Sequence, residues 1–302
     1  MKRPIVRLSS LQLTNIKNVK NGTIYMPNTV NKILSADKAE ILGIYGQNGS
    51  GKTAIVDALY FLQKVMVGAD LDQSLEDYMT IDSDTAEIFA DFNIFMDGIV
   101  FEIGYTLSLS REEKEIVINR EILRSAKNEN GIRTNKTIFM DYQRDQTDVI
   151  FKPQKRLDEI LEANKEIKTD LIVARKMAEK SNCSYIFGES SREIFCREYK
   201  NGFQQFSVII SSLFEFALKD LFVIRNTHSG VISANFVLPM AFRIENDNIG
   251  AKGDFAVPLT EPILVDEERK NLLETIVEQI NIVLYTIIPG LQVTIKNYGK
   301  QS

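Results

Sequence analysis

Histidine is almost missing from this chain. His228 is the single one in 302 residues, and there is no tryptophan at all. One imidazole cannot build a histidine-rich zinc centre, or act as the base of a Ser/His triad, without further ligands or bases that the sequence does not offer. His228 is read as a polar residue beside a turn. Cysteine is equally scarce. Cys183 and Cys196 fit neither a disulfide framework nor a metal-ligand spacing, and are expected to be plain reduced thiols. Long apolar runs are lacking too. The longest, "SVIISSLFEFALKDLFVI", is interrupted by Glu215, Lys219 and Asp220, which excludes a comfortable membrane span. "MKRPIVRLSS" carries positive charge with no apolar segment behind it, so it is not a signal peptide. A cytoplasmic protein is expected by elimination. Excess positive charge is the last absence. With 36 basic against 41 acidic residues the net charge is −5, which argues against a chain basic throughout that coats nucleic acid and leaves room only for a local basic groove.

What remains is ordinary globular material, 44% hydrophobic and 25% charged, long enough for one large domain or two smaller ones. "IVRLSSLQLTNIKNV" alternates through Val6, Leu8, Leu11 and Leu13 and reads as a strand, with more strand around Gly22 to Met26. "AEILGIYG" is a short, nearly continuous apolar run, the pattern of a strand buried on both faces of a parallel sheet. From Thr53 the spacing turns helical through Ile55, Ala58, Leu59, Leu62 and Met66, and Gly68 stands where a helix end favours positive φ. After an acidic stretch, Ile88, Ala90, Phe92 and Ile94 alternate. The hairpin dipeptide Asp97-Gly98 follows, then Ile99, Phe101, Ile103, Tyr105, Leu107 and Leu109. "KEIVINREIL", "TIFMDY" and "DVIFKP" extend an antiparallel meander. Residues 154–182 are helical and charged, with Leu157, Ile160, Leu161, Leu171 and Ile172 on one side. The heptad is too short for a coiled coil, so a packed two-helix insert is expected. Further helices are expected from Phe206 to Phe222 and from Asp266 to Tyr285, followed by a Pro289-Gly290 turn and the strand "LQVTIK".

Gly46-Gln47-Asn48-Gly49-Ser50-Gly51-Lys52-Thr53 satisfies G-x-x-x-x-G-K-[ST]. Glycines let the backbone wrap closely enough for several N–H groups to face phosphate oxygens, and the helix behind them adds its positive end. Lys52 supplies a point charge for the β- and γ-phosphates, and the Thr53 hydroxyl is a ligand for Mg²⁺. By chance the bare pattern would occur in about one chain in a hundred of this length. The apolar run before it and the helical pattern after it are the context that makes it a nucleotide loop. ATP and Mg²⁺ are the expected cofactors, with Gly46, Asn48, Gly49, Ser50, Gly51, Lys52 and Thr53 as the binding residues.

"LQLTNIKNV" followed by "GIYGQNGSGKTAIVDAL" resembles the ATP-binding head shared by SMC, RecF and RecN proteins, with Ile16 where that group has an aromatic residue. "ADFNIFMDGIVFEIGYTLSLS" and "VINREIL" resemble the antiparallel sheet of AAA-type ABC ATPases of the anti-phage and OLD-nuclease groups. The likeness is specific over residues 6 to 68, fair to about 125 and thin afterwards. It implies an α/β P-loop NTPase fold with a mixed sheet, an antiparallel β-subdomain and a helical insert. It also places Lys17 and Asn18 near the adenine. Such heads further need a glutamine on Mg²⁺, a Ser-Gly-rich signature and a strand ending in Asp-Glu. "PILVDEERK" offers Asp266 and Glu267, but behind only three apolar residues and ahead of an amphipathic helix, so they read better as first-turn acids. Gln63 and Gln143 are the glutamines available.

By this resemblance residues 1–302 are expected to be the N-terminal portion of a longer ATPase, with an ATPase lobe over 1–85, the β-subdomain over 86–153, the insert over 154–222 and a return to the lobe over 223–302. Hydrolysis is expected of the complete protein, as a head-to-head homodimer or higher oligomer. The implied role is the regulatory ATPase of a bacterial anti-phage system controlling a nuclease or toxin effector. A DNA-maintenance ATPase of RecF/SMC type and a non-hydrolysing scaffold are the alternatives. For DNA, the run Arg120, Arg124, Lys127, Arg133 and Lys136 is the one basic cluster to watch, although such runs are usually solvated faces. The segment "FSVIISSLFEFALKDLF" is read as core.

Overall fold

The computed structural model describes residues 3–31, 34–71, 78–112, 115–144, 146, 149–163, 165–196, 204–221 and 223, with isolated positions 274, 277, 278, 281, 282 and 285. The chain falls into two compact units, Met1–Arg225 and Asn226–Ser302. In the second, the six described positions are helical and lie inside the helix expected over 266–285. The predicted Pro289-Gly290 turn and final strand lie outside the described residues. All elements named below belong to the first unit.

The elements are β1 (Ile5–Ile16), β2 (Val19–Tyr25), the single turn α1 (Pro27–Val30), α2 (Lys52–Met66), β3 (Thr85–Met96), β4 (Ile99–Glu112), β5 (Glu115–Glu129), β6 (Ile132–Arg133), β7 (Thr137–Gln143), α3 (Gln154–Ala163), α4 (Ile167–Ser181), α5 (Glu189–Cys196) and α6 (Gln204–Glu215), which runs on into a π-helical turn, Phe216–Asp220. The strands form one sheet in the order β2-β1-β3-β4-β5-β6, with β7 also paired to β5. Every strand pair among the described residues is antiparallel. The mixed α/β character is as expected, and β1 and β2 are continuous with the antiparallel strands.

The alternating residues do what their period demands. Ile88, Ala90, Phe92 and Ile94 on β3, and Ile103, Tyr105, Leu107 and Leu109 on β4, are essentially inaccessible. They face a helical layer in which α2 and α6 lie against β1. On β1 the buried positions switch parity, from Val6 to Leu11 and Leu13, because a β-bulge between Leu8 and Ser10 turns the strand over.

The helical layer is fastened by a few polar anchors. Gln63 near the end of α2 donates to the carbonyls of Ala217 (2.9 Å) and Leu221 (2.6 Å). Gly68, at φ 73°, lets the chain pass so close to Phe187 that a Cβ there would stand 2.5 Å from its carbonyl oxygen. Asn182 ends α4 in the left-handed region, and its amide bridges the backbone of Ile116 (2.7 Å) and Ile118 (3.3 Å). Buried Glu121 on β5 receives the hydroxyls of Tyr105 and Ser184, each at 2.6 Å, and the Tyr185 N–H at 2.7 Å. The buried guanidinium of Arg175 on α4 gathers the carbonyls of Gln143, Arg144, Gln146 and Val149.

Two expectations need correction, and a third holds with a change of helical phase. Residues 39–46 form no strand and are largely exposed, with Ile41 92% and Tyr45 94% accessible. A buried parallel strand needs partners along its edges, and no described strand pairs with this segment. The two helices expected over 154–182 are present as α3 and α4, with a turn at 165–166 before the second. That turn resets the helical phase, so Leu157, Ile160 and Leu171 are buried while Ile172 is exposed. The helix expected from Phe206 begins at Gln204 and gives way to the π-helical turn before Leu221, with Phe206, Ile209, Ile210 and Leu213 in the core as anticipated.

Candidate nucleotide-binding site

The loop from Gly46 to Thr53 leads directly into α2. Gly49 and Gly51 have φ of 83° and 91°, a region that side-chain-bearing residues enter only at a cost, so the two glycines set the path of the loop. Gly51 is the residue before the first turn of α2, and no side chain caps that turn. The first amides of a helix have no acceptor within it, and the dipole leaves this end positive. A Cβ on Gly46 would fall 2.7 Å from the Ser50 hydroxyl, so the start of the loop also closes tightly on its middle.

The Lys52 ammonium does not extend away from the loop. It donates to the carbonyls of Gly46 and Gln47, both at 2.7 Å, and lies 3.5 Å from the Ser50 hydroxyl. Among the described residues no carboxylate forms an ion pair with it. The arrangement is therefore a tight loop whose first two carbonyls hold one cation, backed by an uncapped helix end. Asn48, Ser50 and Thr53 are exposed around it. These donors fit the phosphates of a nucleotide, and the Thr53 hydroxyl is available to a magnesium ion beside them.

The turn between β1 and β2 flanks the loop. Asn18 donates its side-chain amide to the Gly49 carbonyl, and Lys17 forms an ion pair with Asp57 on α2. Asp57 was not singled out by its chemistry, yet a signal was present. It falls on the apolar stripe Ala54, Ala58, Phe61 and Val65, where a carboxylate needs a partner.

Gln63 does not sit beside Thr53, and Gln143 lies across the sheet from β1. Gln63 is ten residues along α2, about 15 Å away, and is used against the π-helical turn. Gln143 on β7 is four strand spacings from β1, about 19 Å. Asp266, Glu267 and His228 lie outside the described residues. Among the described residues no cluster of three His, Cys, Asp or Glu could hold a metal, and no helix is long and apolar enough to cross a membrane.

Four of the five residues of the basic run are paired with carboxylates of their own sheet. Arg120 forms a two-pronged bridge to Asp141 (2.8 and 2.6 Å) and Arg133 one to Glu102 (both 2.7 Å). Hydrogen bonding to these carboxylates raises both guanidinium pKa values still further. Lys127 pairs with Glu129, Lys136 with Asp91, and Arg124 donates to the Thr106 hydroxyl. The five residues make no free cationic stripe.

Residues 41–173 match the family model described as "AAA domain, putative AbiEii toxin, Type IV TA system". The match takes in the loop, α2, the strands from β3 to β7 and half of α4, and it supports an AAA-type P-loop ATPase domain. None of the curated proteins compared with the chain matches it.

Proposed function

We propose that this chain binds ATP with Mg²⁺ through Gly46–Thr53 and serves as the regulatory ATPase subunit of a bacterial anti-phage or toxin–antitoxin system. The observation that carries the nucleotide assignment is the glycine-shaped loop that folds back on the Lys52 ammonium through the Gly46 and Gln47 carbonyls at the uncapped start of α2. In this reading the amides of Asn48, Gly49, Gly51 and Lys52 hold phosphate oxygens, the Ser50 N–H exchanges the Gln47 carbonyl (3.2 Å) for one, Thr53 ligates the metal, and Lys17 and Asn18 lie on the base side. The description of the matched family supports the defence setting. There, two or more copies meet head to head over ATP, and an associated nuclease or toxin is released or restrained. Magnesium supplies Lewis-acid polarisation of the phosphates when bound. No described residue is assigned as the carboxylate that activates water; Asp266 and Glu267, which read better as first-turn acids, are the weak candidates among residues outside the described part.

Titration of the purified chain with ATP and Mg²⁺ tests the assignment. Wild type is expected to bind, and Lys52→Ala to lose at least tenfold in affinity. Unchanged affinity in Lys52→Ala would remove the proposal. Phosphate release by wild type that is abolished in Glu267→Gln supports hydrolysis. Tight binding with no release in wild type favours the scaffold alternative.

A further inference from the structure

The turn that joins β1 to β2 is held more firmly than a hairpin requires. Asn15 and Lys17 take φ of 55° and 50°, a region that residues with side chains keep only where their surroundings over-determine it. Here the chain just before β3 does so. Lys17 N–H donates to the Tyr78 carbonyl (2.8 Å), Thr80 N–H to the Asn15 carbonyl (2.9 Å), the Thr80 hydroxyl to the Lys17 carbonyl (2.6 Å) and the Asn15 amide to the Thr85 carbonyl (3.0 Å). The Lys17 ammonium also stands 5.4 Å from the centre of the Tyr78 ring.

This fixed tip reaches the phosphate loop at three points. Asn18 donates to the Gly49 carbonyl. Val19 packs so closely on Gly51 that a Cβ there would lie 2.6 Å from its Cγ2. Lys17 pairs with Asp57, whose side chain is 3% exposed, one helical turn beyond Thr53. The contacts therefore bracket the junction where the loop becomes helix. Orienting the Gly49 carbonyl orients the whole peptide plane, and with it the Ser50 N–H on the far side, which here closes a turn on the Gln47 carbonyl at 3.2 Å.

We infer that the tip Asn15–Asn18 is a positioning element of the phosphate loop. Asn18 and the Lys17–Asp57 pair fix the path of the loop into α2, so that less of it has to be ordered when phosphate binds. The inference rests on the nucleotide assignment above, and it gives Lys17 and Asn18 work that does not depend on the base. A base contact and a positioning role differ in what they predict for a ligand with no base.

The experiment is competition titration of the full chain with Mg·ATP and with inorganic tripolyphosphate plus Mg²⁺. It compares wild type, Asn18→Ala, Lys17→Met, Lys17→Arg and Lys52→Ala. Asn18 is exposed, so its variant is expected to keep the thermal midpoint of the unligated protein. It should nonetheless bind both ligands about threefold to tenfold more weakly, the worth of one hydrogen bond. Lys17→Met is expected to weaken both ligands, and Lys17→Arg, which keeps the ion pair, to return within twofold of wild type. A loss confined to ATP overturns the inference in favour of base contact. Wild-type affinities in Asn18→Ala and Lys17→Met overturn it while Lys52→Ala still fails to bind. If Lys52→Ala binds normally, the nucleotide assignment itself has failed.

Discussion

Glu121 shows what a buried charge demands of its neighbours. Its carboxyl takes hydrogen bonds from two hydroxyls and one close backbone amide, with the Ile186 N–H a longer fourth at 3.4 Å. Burial pushes its pKa above the usual carboxylate range, against the lowering effect of those donors. The folded chain thus holds this proton more tightly than the unfolded one. Its stabilising contribution is complete below the unfolded value of about 4.3 and declines as pH rises through the higher folded value. Replacing it with glutamine turns an amide N–H₂ toward donors. Glu121→Gln is expected to cost about 1–3 kcal/mol in urea unfolding and to remove that falling slope of stability with pH; an unchanged slope would show that Glu121 does not titrate in this way. Arg175 is the complementary case. Truncation to alanine strands four carbonyls and Glu179, and should cost roughly 3 kcal/mol. A loss below about 1 kcal/mol would mean that water replaces the guanidinium.

At the scale of elements, α2 joins the candidate site to the core. Its first turn meets the loop, Asp57 meets the β1–β2 turn, its apolar stripe is buried, and Gln63 holds the π-helical turn. Gln63→Ala should lower stability by about 1–2 kcal/mol and leave Mg·ATP affinity unchanged, because the residue is remote from Thr53. A fall in affinity would instead make Gln63 a magnesium contact. The strands and α2 were legible in the sequence because each buries one face, so the apolar period of two or 3.6 is imposed residue by residue. Even the bulge in β1 left a trace, in the parity change between Leu8 and Leu11. The short helix α5 was missed because eight residues show little more than two turns of periodicity. Residues 39–46 were misread because an apolar run records a capacity to be buried, and burial needs a neighbour that the described strands do not supply. The Lys17–Asp57 pair spans forty residues, and no local pattern announces which lysine a buried aspartate will find.

At the scale of the molecule, the described strands of the first unit form one continuous antiparallel sheet that shares its core with the described helices. The G-x-x-x-x-G-K-[ST] pattern was legible as soon as its glycines, lysine and threonine were aligned; its setting beside the β1–β2 turn emerged only from the fold. The other polar surface of the sheet is stitched by its own ion pairs, Arg133 with Glu102 and Lys136 with Asp91 among them. The account depends on the backbone amides around Ser50 gripping a triphosphate. Amide hydrogen exchange of the full chain, with and without Mg·ATP, tests this most directly. Slowed exchange confined to Gly46–Ile55 and the Lys17–Val19 turn, and absent in Lys52→Ala, is the predicted result. Saturating ATP that leaves those amides exchanging as before, or that protects a different surface, would contradict it.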